Sequence, residues 1–285
     1  MSSEEDSTLS VVKQQPQEQI KYQIIRQIGQ GAEGPVYLVD VTERKQKLVL
    51  KSTSKYLSSQ EIDRFINFNH KNVIQIQSFG FNQQKQIYFM SYANGGDLNH
   101  FMVERQLSQK YLKIDEILNI FEQICRGVHY LHSKQVVHGD LSPQNILLHF
   151  ENRIPIVKVS DYITNSNHQQ FYSAPEVLRG EQPTVQSDIW SLGIILFQMN
   201  KFRLPFMSTP KGNDVKQQLE GLPFCFQKII SNCLTQNQQH RISLINIIRA
   251  LERRVMAPHI KELQSFCSSS VMSNTNIDFE LDIEL

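Results

Sequence analysis

Eight residues, His138-Gly139-Asp140-Leu141-Ser142-Pro143-Gln144-Asn145, constrain this chain more than any other stretch. They hold an Asp and an Asn five positions apart in a loop that runs into the apolar strand Ile146-Leu147-Leu148. Downstream, a second apolar strand, Val157-Lys158-Val159-Ser160, delivers another acceptor, Asp161. Taken singly, each of these side chains is better explained as an Asx turn in a loop. Together they supply one Asp to take a proton, with an Asn and a second Asp to hold a metal ion. That is the equipment for moving a phosphoryl group.

With 285 residues, 40% of them hydrophobic, the chain is long enough for one large domain or two packed lobes. A formal net charge of +1 excludes the broad positive field of a nucleic-acid binder. Residues 1–20 and 257–285 read as tails, with too little apolar surface to offset the entropy of ordering. The last nine residues, Ile277-Asp278-Phe279-Glu280-Leu281-Asp282-Ile283-Glu284-Leu285, carry two readings: plain disorder, or an acidic docking peptide for a partner. Cys125, Cys225, Cys233 and Cys267 show no metal-site spacing, and three of them lie in apolar helical surroundings that suit reduced, buried thiols. The acidic start has no apolar core of a signal peptide, and Ser2 stands where myristoylation requires Gly. The longest apolar run, Ile189 to Met199, is too short to span a bilayer. A soluble, cytoplasmic protein is the expectation.

Upstream of the acceptor loop lies a second pattern. Strand Ile24 to Ile28, the loop Gly29-Gln30-Gly31-Ala32-Glu33-Gly34 and strand Val36 to Val39 follow in order. Glycines there let backbone amides approach phosphate oxygens with no side chain in the way. A dinucleotide fold needs a helix after such a loop, and this chain has a strand. A further apolar strand, Leu48-Val49-Leu50, ends in Lys51, and Gln86 to Met90 reads as another. Ile114, Ile117, Leu118, Phe121, Ile124, Cys125, Val128 and Leu131 recur at helical spacing just before the acceptor loop.

In this order the landmarks resemble the catalytic domain of eukaryotic protein kinases, over roughly Tyr22 to Met256. The resemblance implies an α+β, bilobal fold: a small β-rich N-lobe with one helix over 21–91, and a larger, mainly helical C-lobe over 92–256. It implies ATP and Mg2+ as cofactors and a protein substrate, with no nucleic acid and no membrane as partner. ATP would sit among Ile28, Gly29, Gln30, Gly31, Gly34, Val36, Val49, Met90, Ser91, Ala93 and Leu147. Lys51 would hold its phosphates and Glu61 would hold Lys51. Asp140 would accept the hydroxyl proton, with Asn145 and Asp161 as metal ligands. Ser58-x-x-Glu61 also fits a capping box, which offers Glu61 a different role. Tyr172-Ser173-Ala174-Pro175-Glu176 matches the family's A-P-E segment, with Arg241 as the expected partner of Glu176. The helix at Ser187 to Gly193 matches the family's central anchor.

Several family positions are changed. Val49 stands for Ala, Gly139 for the phosphate-reading Arg, Ser142 for Lys, Ile163 for Gly and Gln169 for Thr, and the segment from Asp161 to Glu176 is short. Only ten residues separate Lys51 from Glu61. The expectation is that phosphorylation of Thr164 or Ser166 does not activate. Ile163 should resist a positive φ, and Tyr162 should keep the packing role of Phe. Losing the Lys at position 142 costs about 1.5–3 kcal/mol of charge-assisted bonding, roughly ten- to a hundred-and-fifty-fold in rate. Two functions fit: a Ser/Thr-type protein kinase, or a pseudokinase serving as a nucleotide-binding scaffold or allosteric partner.

Overall fold

Strand alternation builds the first half of the molecule. The computed structural model describes residues 22–31, 34–41, 46–53, 55–82, 85–163, 170–206 and 217–253. Both tails, Cys267, Ala32 and Glu33 of the glycine loop, and Thr164, Ser166 and Gln169 lie outside the described residues. Strands β1 (Tyr22–Gly31), β2 (Gly34–Val41), β3 (Gln46–Thr53), β4 (Ile76–Asn82) and β5 (Lys85–Ser91) form one antiparallel sheet in the order β1-β2-β3-β5-β4. In β3, Leu48 and Leu50 join Val39, Val41, Ile87 and Phe89 in a small core on one face. Val49, between them, points to the other face and joins Tyr88 and Met90 in the main core. Helix α1 (Ser59–Ile66) packs Phe65 into that same main core.

The second half is mainly helical: α2 (Leu98–Leu107), α3 (Ile114–Ser133), α4 (Pro175–Leu178), α5 (Val185–Lys201), α6 (Phe224–Cys233) and α7 (residues 244–253). A hairpin of β6 (Ile146–Glu151) and β7 (Ile154–Val159) lies between α3 and α4. The expected apolar face of α3 is buried from Ile117 to Leu131, whereas Ile114, its first residue, is exposed. Helix α5 is buried on nearly every side, as its all-round apolar sequence requires. A methyl group on Gly193 would sit 2.6 Å from Cys233 Cβ, so this glycine sets how closely α5 and α6 approach. No helix among the described residues is long and apolar enough to cross a membrane. Cys125 and Cys233 are buried free thiols and Cys225 is half-buried.

A polar link joins the halves at the turn after α1. Asn72, in the turn after α1, donates to Val157 O at 3.1 Å and to Gln123 Oε1 at 3.0 Å, and its carbonyl accepts from Val159 N at 2.9 Å. A Cβ on Gly127 would come within 2.4 Å of that Asn72 carbonyl, so α3 approaches the turn only because position 127 has no side chain. Within the helical half, Arg241 makes a two-pronged bond to Glu176, at 2.5 and 2.8 Å, as the sequence predicts. Arg241 also donates to Thr235 O and Gln186 O and lies 5.1 Å over the Trp190 ring. Burial alone would raise the Glu176 carboxyl, but the hydrogen bonds and charge of Arg241 outweigh it and hold the pKa below its usual range.

Breaking a buried pair strands the surviving charge, so Arg241→Ala should cost about 3–5 kcal/mol, measured from urea midpoints at neutral pH. Because the Glu176 pKa is depressed by folding, its contribution is complete above the ordinary carboxylate pKa and lost as pH falls through the folded value. The gap between wild type and variant should therefore narrow in acid. A neutral-pH loss below about 1 kcal/mol would contradict the assignment.

Candidate active site

The acceptor loop is set by a buried carboxylate. Asp188, near the start of α5, accepts from His138 N and Gly139 N, both at 2.9 Å, and lies 2.7 Å from His132 Nε2. These bonds bend the loop so that Gly139 adopts φ +73°, a left-handed conformation glycine takes without a Cβ penalty. Glycine thus suits the conformation this position adopts here, although it removes the family's cation. His138, fully buried, closes the loop onto β7: Nε2 donates to Ser160 O at 2.7 Å, and Nδ1 accepts from Asp140 N at 3.3 Å.

Asn145 ends a single 3-10 turn begun by Pro143, and its amide reaches back five residues. Asn145 Nδ2 donates to Asp140 O at 2.7 Å and to Asp140 Oδ2 at 3.1 Å, fixing the Asp140 carboxylate relative to the turn. The Asn145 carbonyl accepts from both Ser160 N and Ser160 Oγ, at 2.9 and 3.1 Å. Ser160 is therefore the joint between the loop and Asp161, a role the sequence reading missed. The only signal for it was a small hydroxyl residue directly before Asp161.

Asp161 takes φ +62°, which costs a non-glycine residue roughly 1–2 kcal/mol. Ile163 does not have a positive φ, so the strained position is two residues earlier than the family glycine would suggest. Tyr162 fills the packing role expected of it. Its ring stacks on Phe68 and tilts against Phe65, its hydroxyl donates to Ile74 O at 2.8 Å, and burial pushes its pKa far up.

Lys51 crosses from β3 to meet Asp161 Oδ1 at 2.7 Å, both side chains being shielded from bulk solvent. Here the expected Lys51–Glu61 pair is corrected. Glu61 closes a capping box: Glu61 Oε2 accepts from Ser58 N at 3.0 Å and Ser58 Oγ at 2.9 Å, while Ser58 Oγ accepts from Glu61 N at 3.3 Å. Lys55 approaches the same carboxylate at 3.5 Å, and these partners hold its pKa down. Local geometry decides the outcome, because α1 starts one residue after Ser58 and Glu61 falls in its first turn. Ser142 is buried, and its hydroxyl has no hydrogen-bond partner.

These side chains open on one cleft of about 1000 Å3 between the sheet and the helical half. Ile28, Gly29, Gln30, Gly31, Val36 and Val49 line it above, with Met90 and Ala93 at the back and Leu147 below. Lys51, Asp140, Asn145 and Asp161 line its inner end. Gly34, Ser91 and Glu61 do not line it. Ser91 N donates to Gln75 O at 3.0 Å, and Tyr92, Ala93 and Asn94 of the connecting segment line the cleft. A Cβ on Gly31 would meet Lys51 Cε at 3.4 Å, an ordinary contact, which places the glycine loop beside the lysine.

Residues 22–255 match the family model described as the protein kinase domain. The chain is 32% identical over 208 residues to the "Probable serine/threonine-protein kinase nek3" of Dictyostelium discoideum, covering 65% of this chain and 18% of that protein. It is 31% identical over 234 residues to the "Ovarian-specific serine/threonine-protein kinase Lok" of Drosophila melanogaster, covering 72% and 48%. It is 27% identical over 250 residues to the "Serine/threonine-protein kinase Nek3" of Mus musculus, covering 80% and 48%. The chain thus spans half or less of the length of these curated relatives.

A double-mutant cycle tests the reassignment of Glu61. Ser58→Ala and Glu61→Ala should each lower the melting temperature slightly, and together by less than the sum of the two, because both remove one reciprocal cap. Strictly additive losses would contradict the shared cap.

Proposed function

Because the chain belongs to the protein kinase family, we propose that it transfers the γ-phosphate of ATP to Ser or Thr hydroxyls of protein substrates, with Mg2+ as cofactor. The observation that carries this reading is the convergence of Lys51, Asp140, Asn145 and Asp161 at the inner end of one cleft. Glycines above and apolar Val36, Val49 and Leu147 around the outer part suit a flat, apolar base with a charged tail. The Ser/Thr assignment draws on Leu141, Pro143 and Asn145 within the loop and on the printed names of the relatives.

The residues present fit the cation as well. Asn145 and Asp161 offer hard oxygen donors, the type Mg2+ prefers. Among the described residues no group of three or more His, Cys, Asp or Glu side chains could hold a metal alone, which suits an ion that takes its remaining ligands from phosphate and water. When bound, such an ion neutralises charge on the phosphates. The protein supplies the rest by positioning. Lys51 binds the α- and β-phosphates, and its present bond to Asp161 keeps both side chains at the mouth of the phosphate site. Asp140, held by the Asn145 amide, orients the substrate hydroxyl and accepts its proton. Ser142 contributes no cation, so phosphate transfer runs without the help the family's Lys would give. Reduced, buried Cys125 and Cys233 agree with a cytoplasmic enzyme.

Purified chain, Mg2+, labelled ATP and a generic protein substrate test the proposal directly. Wild type should label Ser and Thr only, and Asp140→Asn should label at least about a hundredfold more slowly. Lys51→Met should weaken nucleotide binding by roughly ten- to a hundred-and-fifty-fold, whereas Glu61→Gln should change it by less than about threefold. Equal labelling by wild type and Asp140→Asn would leave a nucleotide-binding scaffold in place of an enzyme.

A further inference from the structure

The segment that connects the sheet to the helical half is bonded along one side and free along the other. Its bonded side covers the edge of β6 that faces away from β7. Gly95 N donates to Leu148 O and Leu148 N donates to Gly96 O, both at 2.8 Å, and Asp97 forms a further antiparallel bridge to Leu147. Backbone groups alternate in direction along a strand, so Phe150, two residues beyond Leu148, turns its amide and carbonyl to the same edge. Across β7 its partner is Pro155, which has no N–H to offer.

At Phe150 a side chain takes over from the backbone. Asn94 Oδ1 accepts from Phe150 N at 2.7 Å, and Asn94 Nδ2 donates to Phe150 O at 3.2 Å. Asn has the shortest side chain that offers a donor and an acceptor side by side, as a peptide group does. The next residue makes the close approach possible. A Cβ on Gly95 would meet Leu148 O at 2.8 Å and the Phe150 ring at 2.5 Å.

The free side faces the cleft. Among the described residues, the backbone groups of Tyr92, Ala93 and Asn94 form no bond with other backbone groups, and all three residues line the cleft. Leu147, the floor of the cleft, belongs to the same strand that Asn94 grips. Directly before that strand stands Asn145, whose amide holds Asp140 and whose carbonyl holds Ser160. Strand β6 thus joins the connecting segment to the acceptor loop.

We propose that Asn94 is a positioning residue: its clamp on Phe150 completes the β6 edge and fixes the free backbone of Tyr92 to Asn94 above Leu147, setting where a nucleotide base is held relative to Asp140 and Asp161. This inference rests on the reading of the cleft as a nucleotide site. Both polar atoms of the Asn94 side chain are taken up by Phe150, so it acts on a ligand through the backbone it holds. Lys51 stands on β3, outside the clamp, so the effect falls on the base and not on the phosphates.

Calorimetric titration of the full chain with two probes, adenosine and inorganic tripolyphosphate, separates these halves of the site. Asn94→Ala should weaken adenosine about four- to tenfold and change tripolyphosphate by less than about twofold. Asn94→Asp, the same shape with an oxygen set against Phe150 O, should weaken adenosine at least as much. Without any ligand, the Phe150 amide should exchange faster in Asn94→Ala, while amides in the middle of α5 keep their wild-type rates. Unchanged adenosine affinity in either variant would overturn the proposal, as would equal losses for both probes, which mean a general loosening. Wild type that binds tripolyphosphate but no adenosine would overturn the nucleotide reading itself, and this inference with it.

Discussion

One carboxylate organises the site. Asp188 is buried inside the helical half, where an uncompensated acceptor would cost several kcal/mol. Its compensation comes from two backbone amides of the acceptor loop and from His132. That requirement fixes the path of residues 138–140, because releasing the loop would take two backbone donors from the carboxylate and leave it His132. Helix α5, which carries Asp188, is itself immobilised by apolar contact on nearly all sides and by the close approach of α6 at Gly193. The loop thus inherits the rigidity of the core, which is what placing a proton acceptor within bonding distance of a substrate demands.

From the loop the constraint passes to the rest of the site through short polar bonds. His138 and Asn145 both grip Ser160, and Ser160 sets the position of Asp161. Asp161 is then held by Lys51 from the sheet, so one ion pair links the two halves across the cleft. The strain of a left-handed Asp161 is borne by this framework, with Tyr162 wedged between Phe65 and Phe68 immediately after it. Departures from the family pattern fall into two kinds. Gly139 and Ile163 fit the backbone conformations they meet. Ser142 removes a cation and leaves a buried hydroxyl unpaired, a change in chemistry with no structural compensation.

Much of this was legible in the sequence. Strands β1, β2, β3, β5, β6 and β7 and helix α3 follow from apolar patterning, and helix α5 and the Glu176–Arg241 bond from the order of the landmarks. Strand β4 was missed: Ile76-Gln77-Ser78-Phe79-Gly80-Phe81 alternates, but Ser78 and Gly80 are weak strand formers and a register shift at Ile76–Ser78 interrupts its pairing. Glu61 shows where spacing alone is ambiguous. The same residue satisfied a family landmark and a capping box, and the local box, which closes within three residues, is the bond it forms. Ser91 does not line the cleft, and its amide completes a bond to Gln75, a pairing across 16 residues that no local pattern encodes. The roles of Asp188 and Ser160 depend on contacts 49 and 15 residues away, beyond the reach of any local pattern.

Hydrogen exchange resolved to the His138 and Gly139 amides measures the central constraint directly. If Asp188 holds the loop to the core, both amides should exchange as slowly as the buried middle of α5, through global opening alone. Exchange at the rate of exposed turns, with α5 still protected, would show that the loop moves independently of Asp188 and would contradict this account.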